Sequence, residues 1–129
     1  MSTRFLTLDE ILALHHDQIV RYGGAAGIRD IALLESAIGT PAVTWAGEFL
    51  HPTLPEMAAA YLFHIARNHP FVDGNKRTAL MTALVFLWLN GQRIRATEDE
   101  LVELVVGVAS GRVTKPDSAV FFASHRAKR

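Results

Sequence analysis

Thirteen residues, Thr78 to Asn90 (TALMTALVFLWLN), constrain this chain more than any other stretch, because they are apolar on nearly every face of the helix they would form. Such a helix is stable only when neighbours enclose it. The apolar run itself, Ala79 to Leu89 broken only by Thr82, is well short of the roughly 20 residues that span a bilayer, so the neighbours have to be other segments of the same protein. Gly91 supplies a stop, and the segment reads as the central helix of a helical fold.

Capping signals mark the other helices. Thr7 and Glu10 have the spacing of a capping box, and Leu8, Ile11, Leu12, His15 and Ile19 follow along one side until the Gly23-Gly24 pair. Ala25 to Arg29 reads as a loop. Asp30 is the N-cap of a short helix carrying Ile31, Leu34, Ala37 and Ile38 and ending at Gly39 and Pro41; Pro41 to Pro52 is irregular. Thr53 and Glu56 repeat the box spacing around Pro55, opening a third helix with Met57, Ala60, Tyr61, His64 and Ile65 on its inner stripe and running to about Asn68. Pro70 and Gly74 break it, and a helix resumes from Lys76. Gln92 to Ala96 suits a short extended connection. Thr97 and Glu100 form another box before Leu101, Leu104, Val105 and Val108, in a helix ending near Gly111. Pro116 opens a last helix, whose basic end, His125 to Arg129, suits the negative pole of the dipole. The expectation is an all-α fold, residues 1–129 forming one compact domain of about six helices around a central hydrophobic helix, without repeats or linkers.

Composition narrows the function classes. Half of the residues are hydrophobic and 20% are charged, so the chain can bury a core. Thirteen basic residues balance thirteen acidic ones, so the overall field that draws a protein onto nucleic acid is missing; no direct nucleic-acid binding is expected, although a local basic site has room. The absence of cysteine excludes disulfides, Cys-ligated metal and a thiol nucleophile. The start, MSTRFLTLDEILAL, introduces acidic residues before any sustained apolar stretch, so no secretory signal and no membrane attachment are expected, and the expected location is the cytoplasm.

The chemistry concentrates in His69 to Arg77, HPFVDGNKR, where an imidazole, a carboxylate, a carboxamide and two cations share one tight loop at a helix start. A helix N-terminus offers unpaired N–H groups and a positive dipole end, so the amides near Gly74, Asn75, Lys76 and Arg77 could cradle a phosphate. Lys76 and Arg77 would add charged contacts, Asp73 could hold magnesium together with substrate phosphates, and His69 could take the proton of a hydroxyl. The bland alternative is that Asp73 and Asn75 are turn and cap residues, Pro70 and Gly74 turn formers, and Phe71 a core anchor. That reading explains each residue singly, but a plain cap needs neither His69 nor paired cations.

Other polar residues carry less. His15 and His16 are adjacent and point to different faces of a helix, which rules out the i, i+4 geometry of a zinc pair. His64 reads as a satisfied core histidine, and His51 and His125 carry no signal. Trp45 and Phe49 are either core plugs under the irregular segment, the favoured reading because that loop has to be anchored, or an exposed platform for a partner.

The string from His69 to Arg77 matches the signature of the Fic/Doc superfamily, and the chain resembles its Doc, or death-on-curing, branch. The resemblance extends to RYGG (Arg21 to Gly24), GIRD (Gly27 to Asp30), LLESAI (Leu33 to Ile38), the TAL after the signature, and Asn90-Gly91. It implies a small helical toxin of a toxin–antitoxin pair. Fic proteins usually transfer AMP from ATP to a hydroxyl, whereas Doc transfers the terminal phosphate to a threonine of elongation factor Tu and stops translation. Lys76 stands where Fic signatures usually have glycine, and Leu80 where they carry a second arginine; both departures resemble Doc. By position, His69 would be the base, Asp73 the magnesium ligand, Gly74, Asn75, Lys76 and Arg77 the ATP phosphate binders, and Arg67 a weaker member of the set. No inhibitory helix motif is seen within the chain, which is similar to the Doc arrangement in which a separate antitoxin folds a disordered segment onto the toxin. The alternatives are AMP transfer from the same loop, a catalytically idle nucleotide- or partner-binding module, and, last, a metal-dependent hydrolase.

Overall fold

Among the described residues, five of the six helices start at an oxygen-bearing side chain that satisfies an otherwise unpaired amide, four of them at the residue the spacing predicts. In the computed structural model, which describes residues 2–128, α1 (Leu8–Tyr22) and α5 (Glu98–Ala109) carry complete capping boxes. Thr7 and Thr97 accept from the amides of Glu10 and Glu100, whose carboxylates accept the cap amides at 2.9 Å in return. Asp30 caps α2 (Ile31–Gly39) through Leu33, and Thr114 caps α6 (Lys115–Ser124) through Asp117. Only half of the expected box forms at α3 (Leu54–Asn68). Thr53 accepts from the Glu56 amide, but its own hydroxyl donates to Glu56 Oε1 at 2.8 Å. The sixth helix, α4 (Asn75–Leu89), begins after Gly74, a left-handed residue with φ +75° and no side chain to cap with.

The described residues form an all-α fold with one core, to which all six helices contribute. The most enclosed helix is α3 rather than the apolar α4. Every residue from Met57 to Leu62 is buried, because Ala58, Ala59, Ala60 and Ala66 let α2, α4, α5 and α6 approach from several sides. In α4, Thr78, Ala79, Thr82, Ala83, Phe86 and Leu87 are buried, while Leu80, Leu84, Val85 and Leu89 pack at the margin and Trp88 is exposed. No helix of the described residues is long and apolar enough to cross a membrane.

Two further expectations are corrected. The irregular segment contains a 3-10 turn (Thr40–Ala42) and a minimal antiparallel hairpin, β1 (Thr44–Trp45) with β2 (Glu48–Phe49). Trp45 is 77% exposed and Phe49 39%, so neither is a buried plug: a hairpin of two-residue strands cannot reach back over the core, and the Phe49 ring lies tilted beside that of Phe5 at 5.9 Å. The basic end does not extend α6. That helix stops at Ser124, and the tail pairs with the 92–96 connection through Arg95 N–H to the His125 carbonyl (2.7 Å) and Ala127 N–H to the Arg93 carbonyl (2.8 Å), so strand-like hydrogen bonds override the dipole. His125 alone stays at the helix end, bonded to the Phe121 carbonyl and to Glu100. Arg129 lies outside the described residues.

Candidate active site

The end of α3 sets the position of His69. This residue is the C-cap, in the left-handed conformation (φ +49°, ψ +55°), which turns the chain sharply and leaves it exposed. A non-glycine residue held there needs support from its surroundings. Arg29 provides it: Nε donates to the His69 carbonyl at 2.6 Å and Nη2 to the Asn68 carbonyl at 2.8 Å, placing a cation on the negative end of α3. The Pro70 carbonyl accepts from the amides of Arg29 and Asp30, and Val72 N–H donates to Gly27. The loop before α2 is thus laced to the histidine loop.

The next turn is held by three groups. Phe71 is buried, and its N–H and carbonyl both bond the carboxamide of Asn75, at 2.9 and 3.0 Å. The imidazole of His15, 6% exposed, stacks on the Phe71 ring at 3.8 Å and 5°, and its Nε2 lies 2.8 Å from the carbonyl of Asp73. A carbonyl only accepts, so Nε2 carries the proton. The Asp73-Gly74 peptide is therefore pinned from the α1 side.

Asp73 is exposed, yet its carboxylate is organised: Oδ1 accepts from Gly74 N–H (2.9 Å) and Oδ2 from Ala25 N–H (3.3 Å). Those two amides, with a smaller contribution from Arg77, hold its carboxyl below the usual carboxylate range. Gly24 is required beside it, since a Cβ there would stand 2.7 Å from Asp73 Oδ2. Arg77 donates to the Gly23 carbonyl at 2.9 Å and lies over the Tyr22 ring at 5.5 Å; Lys76 is exposed and unpaired among the described residues. The first helical hydrogen bond of α4 comes from Thr78 N–H to the Gly74 carbonyl, so the amides of Asn75, Lys76 and Arg77 have no partner within the helix.

These parts surround one cleft of about 500 Å³, lined by His69, Val72, Asp73, Gly74, Asn75, Lys76 and Arg77. The arrangement offers an imidazole and a carboxylate on one side and a helix N-terminus with two cations on the other, which suits a phosphorylated ligand. The Asn75 carboxamide is spent on Phe71, so toward a ligand this residue has its amide to offer. Arg67 stands apart. It is exposed and bonds the Ala109 carbonyl at the end of α5 at 3.4 Å, away from the cleft. The sequence assigned no such role to His15, whose place on the apolar stripe of α1 was the available signal, or to Arg29, whose one signal was its place in the GIRD segment.

The profile of the Fic/DOC family matches residues 5–87, close to two thirds of the chain and every residue of the cleft. The chain belongs to the Fic/DOC family. It is similar to two Doc proteins. It is 41% identical over 111 residues, 86% of each chain, to the protein kinase doc of Escherichia phage P1. It is 39% identical over 97 residues, 75% of this chain and 72% of the relative, to the toxin Doc of Mycolicibacterium smegmatis. Membership leaves the reaction to be argued from the residues.

Proposed function

We propose that this Fic/DOC protein is the toxin of a toxin–antitoxin pair, a protein kinase that transfers the γ-phosphate of ATP to a hydroxyl of a translation factor, with a threonine of elongation factor Tu as the expected acceptor. The observation that carries the reading is the cleft itself: an exposed His69 beside Asp73, facing the unpaired amides of α4 with Lys76 and Arg77. The names of the two relatives, a protein kinase and a toxin, support it.

In this reading the amides of Asn75, Lys76 and Arg77 and the two cations hold the phosphates of ATP. His69 accepts the proton of the acceptor hydroxyl as its oxygen bonds the γ-phosphorus and the bond to ADP breaks. Asp73 fits magnesium: it is an exposed oxygen donor kept anionic by two amides, and a hard cation bound through one carboxylate takes its other ligands from water and substrate phosphates. When bound, magnesium would offset charge on the phosphates.

The choice of γ- over α-phosphate rests on residue 80. Leu80 packs against the core, so the second turn of α4 offers no cation to seat the outer phosphates, and Lys76 lines the cleft where Fic signatures usually have glycine. AMP transfer from the same loop is the competing outcome. An antitoxin whose disordered segment folds onto this domain would supply the inhibition. Expression should arrest growth, a neighbouring antitoxin gene should restore it, and mass spectrometry of a lysate treated with protein and ATP should find phosphorylated translation factor. Adenylyl adducts would instead assign AMP transfer, and no adduct at all would leave an idle binding module.

A further inference from the structure

A second pocket, of about 390 Å³, opens between α3 and α6, away from the histidine loop. Its walls are mostly apolar, formed by Pro55, Ala59, Pro116, Ala119 and Val120. Lys115 and His51 also line it, and they belong to a cluster that the proposed reaction does not use: Nζ of Lys115 lies 3.2 Å from Nε2 of His51 and 3.1 Å from Nε2 of His64, which stands outside the lining, with the Phe63 ring 5.6 Å away. No carboxylate of the described residues pairs with Lys115. Glu56 borders the same pocket, but the Thr53 hydroxyl engages its Oε1.

The chemistry of this contact is specific. Where the amine donates to an imidazole, that ring needs a lone pair on Nε2 and is neutral with its proton on Nδ1; the Nδ1 of His51 is buried without a partner. Burial, then the charge of Lys115, then His51 push His64 down to about 4; burial and Lys115 also lower His51, and burial lowers Lys115. A half-buried lysine with no carboxylate to hold its charge, touching two proton acceptors, is an amine disposed to react as a nucleophile.

We propose that Lys115 is an acyl-accepting residue, a covalent modification site at which the pocket takes up a short apolar acyl group from an activated ester or thioester. The free amine of Lys115 attacks the acyl carbon. The new N–C bond forms as the C–O or C–S bond to the leaving group breaks, the leaving group departs as its anion, and the proton shed by nitrogen passes to Nε2 of His64 or His51. The product amide is neutral and sits in an apolar pocket where the ammonium had no counter-ion, so modification removes an unpaired charge. The proposal is independent of the ATP cleft and goes beyond kinase chemistry.

The test uses p-nitrophenyl butyrate and the intact protein at neutral pH, with each lysine followed by peptide mass spectrometry. The chain contains three lysines, Lys76, Lys115 and Lys128, so two internal references are present. Lys115 should be butyrylated several-fold faster than either. Unfolding in urea should abolish the difference, and Lys115→Arg should remove that adduct while leaving phosphate transfer unchanged. Ala123→Trp, at an exposed position on the pocket wall, should slow butyrylation several-fold. Equal rates at all three lysines, or a rate at Lys115 indifferent to Ala123→Trp, would overturn the proposal.

Discussion

Asn75→Ala separates two roles that one residue could play at the head of α4. If the carboxamide were a phosphate ligand, its loss would weaken nucleotide binding and leave stability unchanged. The geometry assigns it to the fold, since both of its polar atoms bond the backbone of buried Phe71, at 2.9 and 3.0 Å. Truncation leaves one buried N–H and one buried carbonyl without those partners, at a combined cost of about 2 to 4 kcal/mol. With 129 residues at about 2.1 cal/mol/K each, the unfolding entropy is about 0.27 kcal/mol/K, so the melting temperature should fall by about 7 to 15 °C. The measurement is differential scanning calorimetry of the variant beside Lys76→Ala, which changes an exposed, unpaired side chain and should leave the melting temperature in place while weakening ATP. An Asn75→Ala protein that melts with the parent but no longer binds ATP would refute the clamp.

The remaining predictions concern the cleft and the α3–α6 pocket. His69→Ala should abolish phosphate transfer and growth arrest while circular dichroism stays helical; transfer at the parent rate would remove His69 from the role of base. Arg77→Ala should weaken ATP by about 1.5 to 3 kcal/mol in calorimetric titration, whereas Asp73→Ala should leave ATP affinity indifferent to magnesium. Because His64 is held neutral, down to about 4 from an ordinary histidine value, the unfolded chain binds its proton first. Stability should therefore fall as pH drops below about 6.5 and level off near 4, and His64→Gln should flatten that part of a pH series of denaturant melts. A parent curve that is already flat there would contradict a neutral His64.

Most of the helical frame was legible in the sequence because helix starts are local: Thr7, Asp30 and Thr97 accept from amides within one turn of themselves, and Pro116 stands in the first turn of α6. The errors fall where long-range contacts decide. The run in α4 announces hydrophobicity, but enclosure went to α3, whose alanines are unremarkable in composition and matter only once neighbours dock against them. The basic tail met a strand-like partner thirty residues earlier, which no local signal discloses. At the cleft, the loop itself was legible by its residue types, as were Phe71 as a core anchor and the turn that follows it. His15 and Arg29, which hold that loop from 58 and 40 residues away, act through backbone carbonyls, and a carbonyl leaves no mark in a sequence.

The central claim, that this cleft hands the terminal phosphate of ATP to a protein hydroxyl, is tested most directly by incubating the protein and magnesium with a translation factor and ATP labelled at either the γ- or the α-phosphate. Label from the γ-position should appear on the factor and be lost with His69→Ala, while the α-label stays in released ADP. Transfer of the α-label to the factor would contradict the account and assign this cleft to AMP transfer.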